Sequence, residues 1–397
     1  MKRNALLIML FLALGQFAMV KAQPNAAPTI PNYAMARGQI NPTVTGWNGW
    51  YNCTADISGD YRHLAATNPN VNGGGGLNMD EVNVSGFNDP YLYVAVYASQ
   101  QATINLSVVT SYTGAWTSAV EDVKAVTLNQ GWNNVLVKLN ELNIVNDPQK
   151  EHLFQIGFKE LPNGINLYIP QNGGFFFFDA LPRAPEFNGT GKKVIFSVCN
   201  DVNQSLWYWD NGNYSVPGSN AETRNYVGTT GDPKIYQAFN KEWFLVNLNG
   251  GNADVSGYNR MHVDVYSTST HGFCVTPVTN NGTEVNKETD QDGNSNYFSS
   301  LKANQWNSLD VKLDAVPFLG EENFDLSNLS RFVFSKGDGT ATYAIDNVYF
   351  WQETPEVVTT DTDGKGLNWD TATGTTCYYD KIVWQKIGTD TPKTDDG

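Results

Sequence analysis

Along much of this chain apolar side chains recur at every second position. In Met261-His262-Val263-Asp264-Val265-Tyr266 the residues Met261, Val263 and Val265 point to one side, and His262, Asp264 and Tyr266 to the other. Leu92, Val94 and Val96 alternate in the same way with Tyr93, Ala95 and Tyr97. A period of two predicts strands with one buried face. Phe244–Leu248 and Ile345–Trp351 read as further strands, and Trp132 and Trp306 each open another. No stretch sustains a helical period, and Leu326–Leu329 makes one turn at most. One buried and one solvated face per strand predicts antiparallel sheets packed as a sandwich.

The strands come in two sets. The first is Val84-Ser85-Gly86-Phe87-Asn88, Leu92–Tyr97, Trp132–Leu139 and Phe176-Phe177-Phe178-Asp179-Ala180-Leu181. The second is Val255-Ser256-Gly257-Tyr258-Asn259, Met261–Tyr266, Trp306–Leu313 and Ile345–Trp351, in the same order and at nearly one spacing. Landmarks repeating in order indicate an internal duplication. The expected organisation is a first β-sandwich module over 33–186 and a second over 187–352. The Pro-rich stretch 23–32 reads as an extended linker. Residues 353–397 read as a Thr/Asp-rich linker, in which Leu367–Trp384 forms a hairpin turning at Thr373-Gly374. Tyr378–Trp384 is a weaker echo of the closing strand.

Composition narrows the class. With 397 residues, 41% of them hydrophobic, the chain can build two cores; with only 16% charged and Gly and aromatics abundant, it fits an all-β extracellular protein. A net charge of −15 repels phosphate, so nucleic acid and anionic membrane surfaces are excluded as partners. Lys2 and Arg3, the apolar Ala5–Leu14 and the small-residue site Val20-Lys21-Ala22 predict a cleaved signal peptide over 1–22. Its apolar run is too short for a lasting span, so the expectation is an exported protein (secreted, periplasmic or at the cell surface) without membrane insertion. Cys53, Cys199, Cys274 and Cys377 permit three pairings, and buried thiols are the alternative.

Lys234-Ile235-Tyr236, Asp254–Tyr258, Met261–Tyr266, Trp306–Val311 and Tyr343–Phe350 together resemble carbohydrate-binding-type β-sandwich modules with a galactose-binding-like jelly roll. The resemblance covers 190–351 well and 33–186 more loosely. It implies an all-β fold of two tandem antiparallel jelly-roll β-sandwich domains, a polysaccharide or oligosaccharide as ligand, and a glycan-degrading enzyme as partner. It also implies a structural calcium, because an Asp on the closing strand ligates calcium in such modules; here that points to Asp179 and Asp346. The loops Asp290–Asn294 and Asp361–Gly364 lack the spacing of a calcium-binding EF-hand.

Sugar recognition needs aromatic faces for C–H groups and amides or carboxylates for hydroxyls. Two early clusters have that composition: Trp47, Trp50 and Tyr51, and Trp207, Tyr208 and Trp209. Adjacent side chains alternate in a strand, so three aromatics cannot all enter one core. They either plug the end of a sandwich or offer a sugar platform. Trp243 and the outward set His262, Asp264 and Tyr266 are further ligand-binding candidates; Trp132 and Trp306 read as core plugs. No catalytic-sized segment remains beside two modules, and neither G-x-S-x-G nor H-E-x-x-H occurs. The expected function is therefore non-catalytic carbohydrate binding. A structural or adhesive surface protein and a jelly-roll glycoside hydrolase or polysaccharide lyase are the rivals.

Overall fold

The structure is a computed structural model that describes residues 24, 26, 28–114, 116–143, 147–187, 192–199, 209–210, 221–228, 234–248, 253–279, 297–313, 326–353, 378–380 and 383–385. The expected signal peptide, Trp207, Tyr208, Cys377 and both acidic loops lie outside these residues. Apart from an isolated parallel bridge between Tyr33 and Asn225, every strand pairing reported below is antiparallel, which bears out the all-β antiparallel class. Contacts divide the chain into two compact units: Met1–Arg183 with Thr223–Ile235, and Ala184–Glu222 with Tyr236–Gly397.

The first unit holds two sheets. A seven-stranded sheet runs in the order Met35–Ile40, Phe175–Ala180, Pro90–Ala98, Asn166–Pro170, Tyr61–Ala66, Cys53–Ser58, with Gly131–Lys138 also paired to Pro90–Ala98. A five-stranded sheet runs Val44–Trp50, Gly74–Val82, Leu153–Lys159, Ala102–Ser111, Ala119–Leu128. The alternation places Leu92, Val94 and Val96 in one buried cluster with Leu77, Leu106, Ile156 and Phe158. Burying such side chains contributes about 1.5–3 kcal/mol each.

In the second unit, Thr342–Glu353 pairs with Lys234–Phe239, Lys192–Cys199 and Arg260–Ser267, and the last of these pairs with Gln305–Lys312. The facing sheet runs Trp209–Asp210, Phe244–Leu248, Leu329–Ser335, His271–Thr279, Tyr297–Ser300. Met261, Val263 and Val265 enter the core with Phe244, Phe273, Phe332 and Phe334. Strand order matches between the units. Trp132 stands in register with Tyr97, and Trp306 with Tyr266. Both tryptophans pack on those tyrosines, on the outer side of the sheet rather than in the sandwich interior.

The match corrects one equivalence. Phe176 faces Tyr93, and Tyr349 faces His262, so the second-unit residue in the place of Asp179 is Gln352. Where the first unit breaks its strand at 171–174, the second keeps one strand and takes up the extra length as a bulge at Asp346-Asn347, with Asn347 at φ 48°. Asp346 is therefore not the counterpart of Asp179.

The outward faces are the second correction. Tyr93, Ala95, His262, Asp264 and Tyr266 are all buried instead of solvated. In the first unit Tyr33 and Phe176 pack on Tyr93. In the second unit Phe187 packs edge-on against Tyr349, which itself stacks on His262. Alternation marks two faces but does not say what lies over them.

At the C-terminal side, Tyr378–Asp380 pairs with Val383–Gln385, and Asp380 faces Val383. The chain therefore reverses between Asp380 and Val383, and the stretch expected to echo one strand folds back on itself; Thr373-Gly374 lies outside the described residues. A short helix at Asp147–Glu151, with Pro148 near its start, escaped the periodicity reading. Cys53 and Cys274 are buried. Among the described residues no helix is long and apolar enough to cross a membrane.

Candidate functional site

The outer face of the first unit's five-stranded sheet brings together an aromatic ring, three amides and a floor of small residues. Across the strands, Asn48, Gly76, Gly157, Ser107 and Val123 stand in one register row. Their neighbours Trp47, Leu77, Ile156, Phe158 and Leu106 point into the sandwich, so this row points out. The half-buried ring of Trp50 leans over Gly76. A Cβ on Gly76 would lie 2.9 Å from Trp50 Cη2 and 3.1 Å from Cζ3, so only glycine lets the ring settle there. Trp50 Nε1 donates to the carbonyl of Asn72, 3.1 Å, which fixes the ring's azimuth.

Beside the ring, Gln155 Nε2 donates to Asn78 Oδ1 at 2.6 Å. Asn48 completes the amide group: a Cβ on Gly46 would be 3.1 Å from Asn78 Nδ2 and 3.4 Å from Asn48 Nδ2. Ser107 Oγ, buried and without a hydrogen-bond partner among the described residues, faces the floor at Gly157, where a Cβ would approach it to 2.2 Å. The next two residues carry the chain from this sheet to Cys53–Ser58 of the other one. Tyr51 and Asn52 both have positive φ, 53° and 63°. Tyrosine rarely adopts that conformation, and here it leaves the ring 57% exposed next to Trp50. Farther along the same face Trp116, 57% exposed, packs edge to face on Phe154 at 4.3 Å.

Trp47 turns the other way. Its Nε1 is shared by the carbonyls of Asp56 and His63, at 3.2 and 3.1 Å, and its ring meets Phe158 edge-on inside the sandwich. The first cluster thus divides into one inward ring, Trp47, and two outward ones, Trp50 and Tyr51. Asn48, Asn78, Gln155 and Trp116 were not among the sequence candidates. The signal that could have found them is the run Gly73–Gly76, which marks a close approach to the backbone.

In the second unit Trp209 lies on the edge strand that corresponds to Val44–Trp50, and it faces Leu248 as Trp47 faces Leu77. Trp243 is half-buried against the apolar group Leu245, Val278 and Val333. His262 and Asp264 belong to a buried network. His262 Nδ1 is 3.0 Å from Asp310 Oδ1, and Nε2 is 3.3 Å from Asp264 Oδ1. Asp264 also accepts from Ser308 Oγ at 2.6 Å and from Asn347 Nδ2 at 2.7 Å. Burial, the largest single influence on His262, disfavours its cation; the hydrogen bonds and charges of Asp264 and Asp310 together outweigh it and raise the pKa. Tyr266 is buried edge-on to Trp306. These three residues are not brought to an open groove.

Among the described residues, neither aspartate proposed for calcium has an oxygen-rich shell. Asp179, wholly buried, accepts the N–H of Asp89 at 2.7 Å and has Arg37 Nε 3.9 Å from its other oxygen. Burial pushes its pKa up, against those donors. Asp346 accepts the N–H of Asn347 at 2.7 Å, and its neighbour Asp264 is already taken by three donors. Calcium takes six to eight oxygens. Among the described residues no three His, Cys, Asp or Glu side chains gather as metal ligands. The described groups around Asp179 and Asp346 do not supply such a shell.

No protein-family model matches the chain, and no curated protein matches it. Solved structures similar to it are carbohydrate-binding modules. One is the N-terminal CBM22-1-CBM22-2 tandem domain from Paenibacillus barcinonensis Xyn10C, 12% identical with a TM-score of 0.26, covering 81% of this chain and 99% of that one. Another is a family 30 carbohydrate-binding module, 11% identical with a TM-score of 0.28, covering 38% and 92%. A third is a family 11 module from Clostridium thermocellum in complex with a β-1,3-1,4-mixed-linked tetrasaccharide, 9% identical with a TM-score of 0.28, covering 36% and 96%. At these identities and TM-scores the likeness carries no argument about ligand or site, which rest on the geometry above.

Proposed function

We propose that this is an exported, non-catalytic protein that binds a polysaccharide or oligosaccharide across the outer face of the first unit's five-stranded sheet. One observation carries the reading: the Trp50 ring settles over Gly76 with Gln155, Asn78 and Asn48 alongside. A pyranose sets its C–H groups on the ring and its hydroxyls on the amides, which both donate and accept. Among the described residues no pair of carboxylates flanks this ring, as glycoside hydrolysis would need. Trp209 holds the register place of the inward Trp47 on the matching edge strand of the second unit, so of the second cluster only Trp207 and Tyr208 enter the same proposal, as a second platform. The partner would be a glycan-degrading enzyme that acts on the glycan held here.

The test is affinity electrophoresis of the whole chain in gels containing a panel of glycans, with product analysis of the same mixtures. Binding predicts retardation by at least one glycan, lost in Trp50→Ala, with no new reducing ends. A hydrolase would release reducing ends, and a lyase unsaturated products. An adhesive protein would show neither retardation nor cleavage.

A further inference from the structure

We propose that the outer face of the first unit's seven-stranded sheet is a peptide site for an extended, proline-rich segment, and that the chain fills it with its own lead-in. Four rings from four strands of that sheet form a closed circuit. Trp132 of Gly131–Lys138 meets Tyr97 of Pro90–Ala98 at 5.6 Å, and Tyr97 meets Tyr168 of Asn166–Pro170 at 5.9 Å. Tyr168 meets Tyr61 of Tyr61–Ala66 at 6.3 Å, and Tyr61 returns to Trp132 at 5.7 Å. The strands of Trp132 and Tyr61 have two others between them, so these rings lean together over the middle of the face.

Residues 23–32 contain Pro24, Pro28 and Pro31 and no charged side chain. This lead-in is docked on the face rather than a free linker. Trp132 Nε1 donates to the carbonyl of Ala26 at 2.7 Å. Farther on, Ile30 meets Gly173, φ 66°, where a Cβ would lie 3.1 Å from Ile30 Cδ1. Tyr33 then stacks on Phe178, 5.5 Å between centroids and 2° between planes. The segment thus passes from the strand of Trp132 to the break at 171–174, with the strand of Tyr97 between them. Ile30 stays 41% exposed, so the segment lies on the face and can leave it without opening the sandwich core.

The chemistry of the contact names the ligand class. A proline-rich segment is extended before it binds, so docking costs little conformational entropy, and aromatic-lined grooves suit it. The Trp132 indole N–H adds direction by meeting a backbone carbonyl, a group that any such segment carries. A segment without charge also avoids the repulsion that a net charge of −15 imposes on acidic peptides.

The second unit repeats the device independently. Pro185 lies ahead of its first strand, Lys192–Cys199, and the Pro185 carbonyl accepts from Asn347 Nδ2 at 2.8 Å. Phe187 then packs on Tyr349 at 4.9 Å and 86°. In both units a side-chain N–H holds a carbonyl of the proline-containing segment, and an aromatic ring of that segment follows onto the sheet. A strap of this kind belongs to the duplicated unit and is not a chance resting place of one linker. Tethered beside its face, the first unit's lead-in acts at an effective concentration in the millimolar range, so a peptide in solution meets a filled site.

The test is calorimetric titration with a synthetic peptide of residues 23–32, into the full chain and into a variant lacking residues 23–30. The shortened chain should bind the peptide about ten-fold tighter than the full chain, or better. In the shortened chain Trp132→Phe, which keeps a ring and removes the N–H, should weaken the peptide about five-fold. Trp50 lies on the other sheet, so Trp50→Ala should leave peptide binding unchanged. The proposal is overturned if the shortened chain does not bind the peptide or binds it no tighter than the full chain. It is also overturned if Trp132→Phe leaves the affinity unaltered, if Trp50→Ala removes it, or if the shortened chain gains affinity for a glycan in place of the peptide. Should the shortened chain fail to fold, a full-length chain with residues 23–30 replaced by glycine and serine decides by the same titration.

Discussion

His262 is clamped between Asp310 and Asp264 and stacked on Tyr349 at 4.6 Å and 18°. Its pKa in the folded protein is raised above the ordinary 6.5. A raised histidine contributes stability that is fully present below the unfolded pKa and is lost as pH rises through the folded one. Melting temperature should therefore fall as pH rises from about 6 upward, and His262→Gln should flatten that part of the curve. An unchanged slope in the variant would refute the assignment. At Asp179 the buried carboxylate is an acceptor for the Asp89 N–H. Asp179→Ala strands that donor and should cost about 1–3 kcal/mol, whereas Asp179→Asn keeps an oxygen there and should cost less than about 1 kcal/mol. A chelator should leave the melting temperature unchanged; a drop would restore calcium to the account.

At the scale of elements, the glycine row decides where Trp50 can lie. Gly76→Ala should tilt the ring off the sheet and weaken glycan binding about ten-fold, with a melting shift of only a few degrees. Unaltered affinity in a folded Gly76→Ala protein would show that the ring's seat does not matter. Much of this architecture was legible in the chain, because a two-residue period survives in Leu92–Tyr97 and Met261–Tyr266 whatever surrounds them. What covers the other face was not legible. Tyr33, Pro185 and Phe187 lie far along the chain from the strands they shield, and Asn347 Nδ2 reaches the Pro185 carbonyl across most of the second unit. The Asp179 and Asp346 equivalence failed for a related reason: a bulge and a loop can absorb the same number of residues without changing the motif on either side. Aromatic composition drew attention to Trp47, Trp50 and Tyr51, but only the backbone shows which ring turns out. The amides that join Trp50 come from strands whose pairing no local pattern reveals.

Across the whole molecule, the same strand order appears in two compact units, and Trp209 takes the register place on its edge strand that Trp47 takes in the first unit. Two weak sites on one chain raise avidity only for a ligand long enough to reach both. The acidic surface charge favours neutral or sparsely charged glycans over polyanions. The account stands on Trp50, and calorimetric titration of the whole chain with the glycan that retards it most tests that residue directly. Trp50→Ala should weaken binding by about 2 kcal/mol, roughly thirty-fold, while the melting temperature stays within a few degrees of wild type. Full affinity in the folded variant would contradict the account.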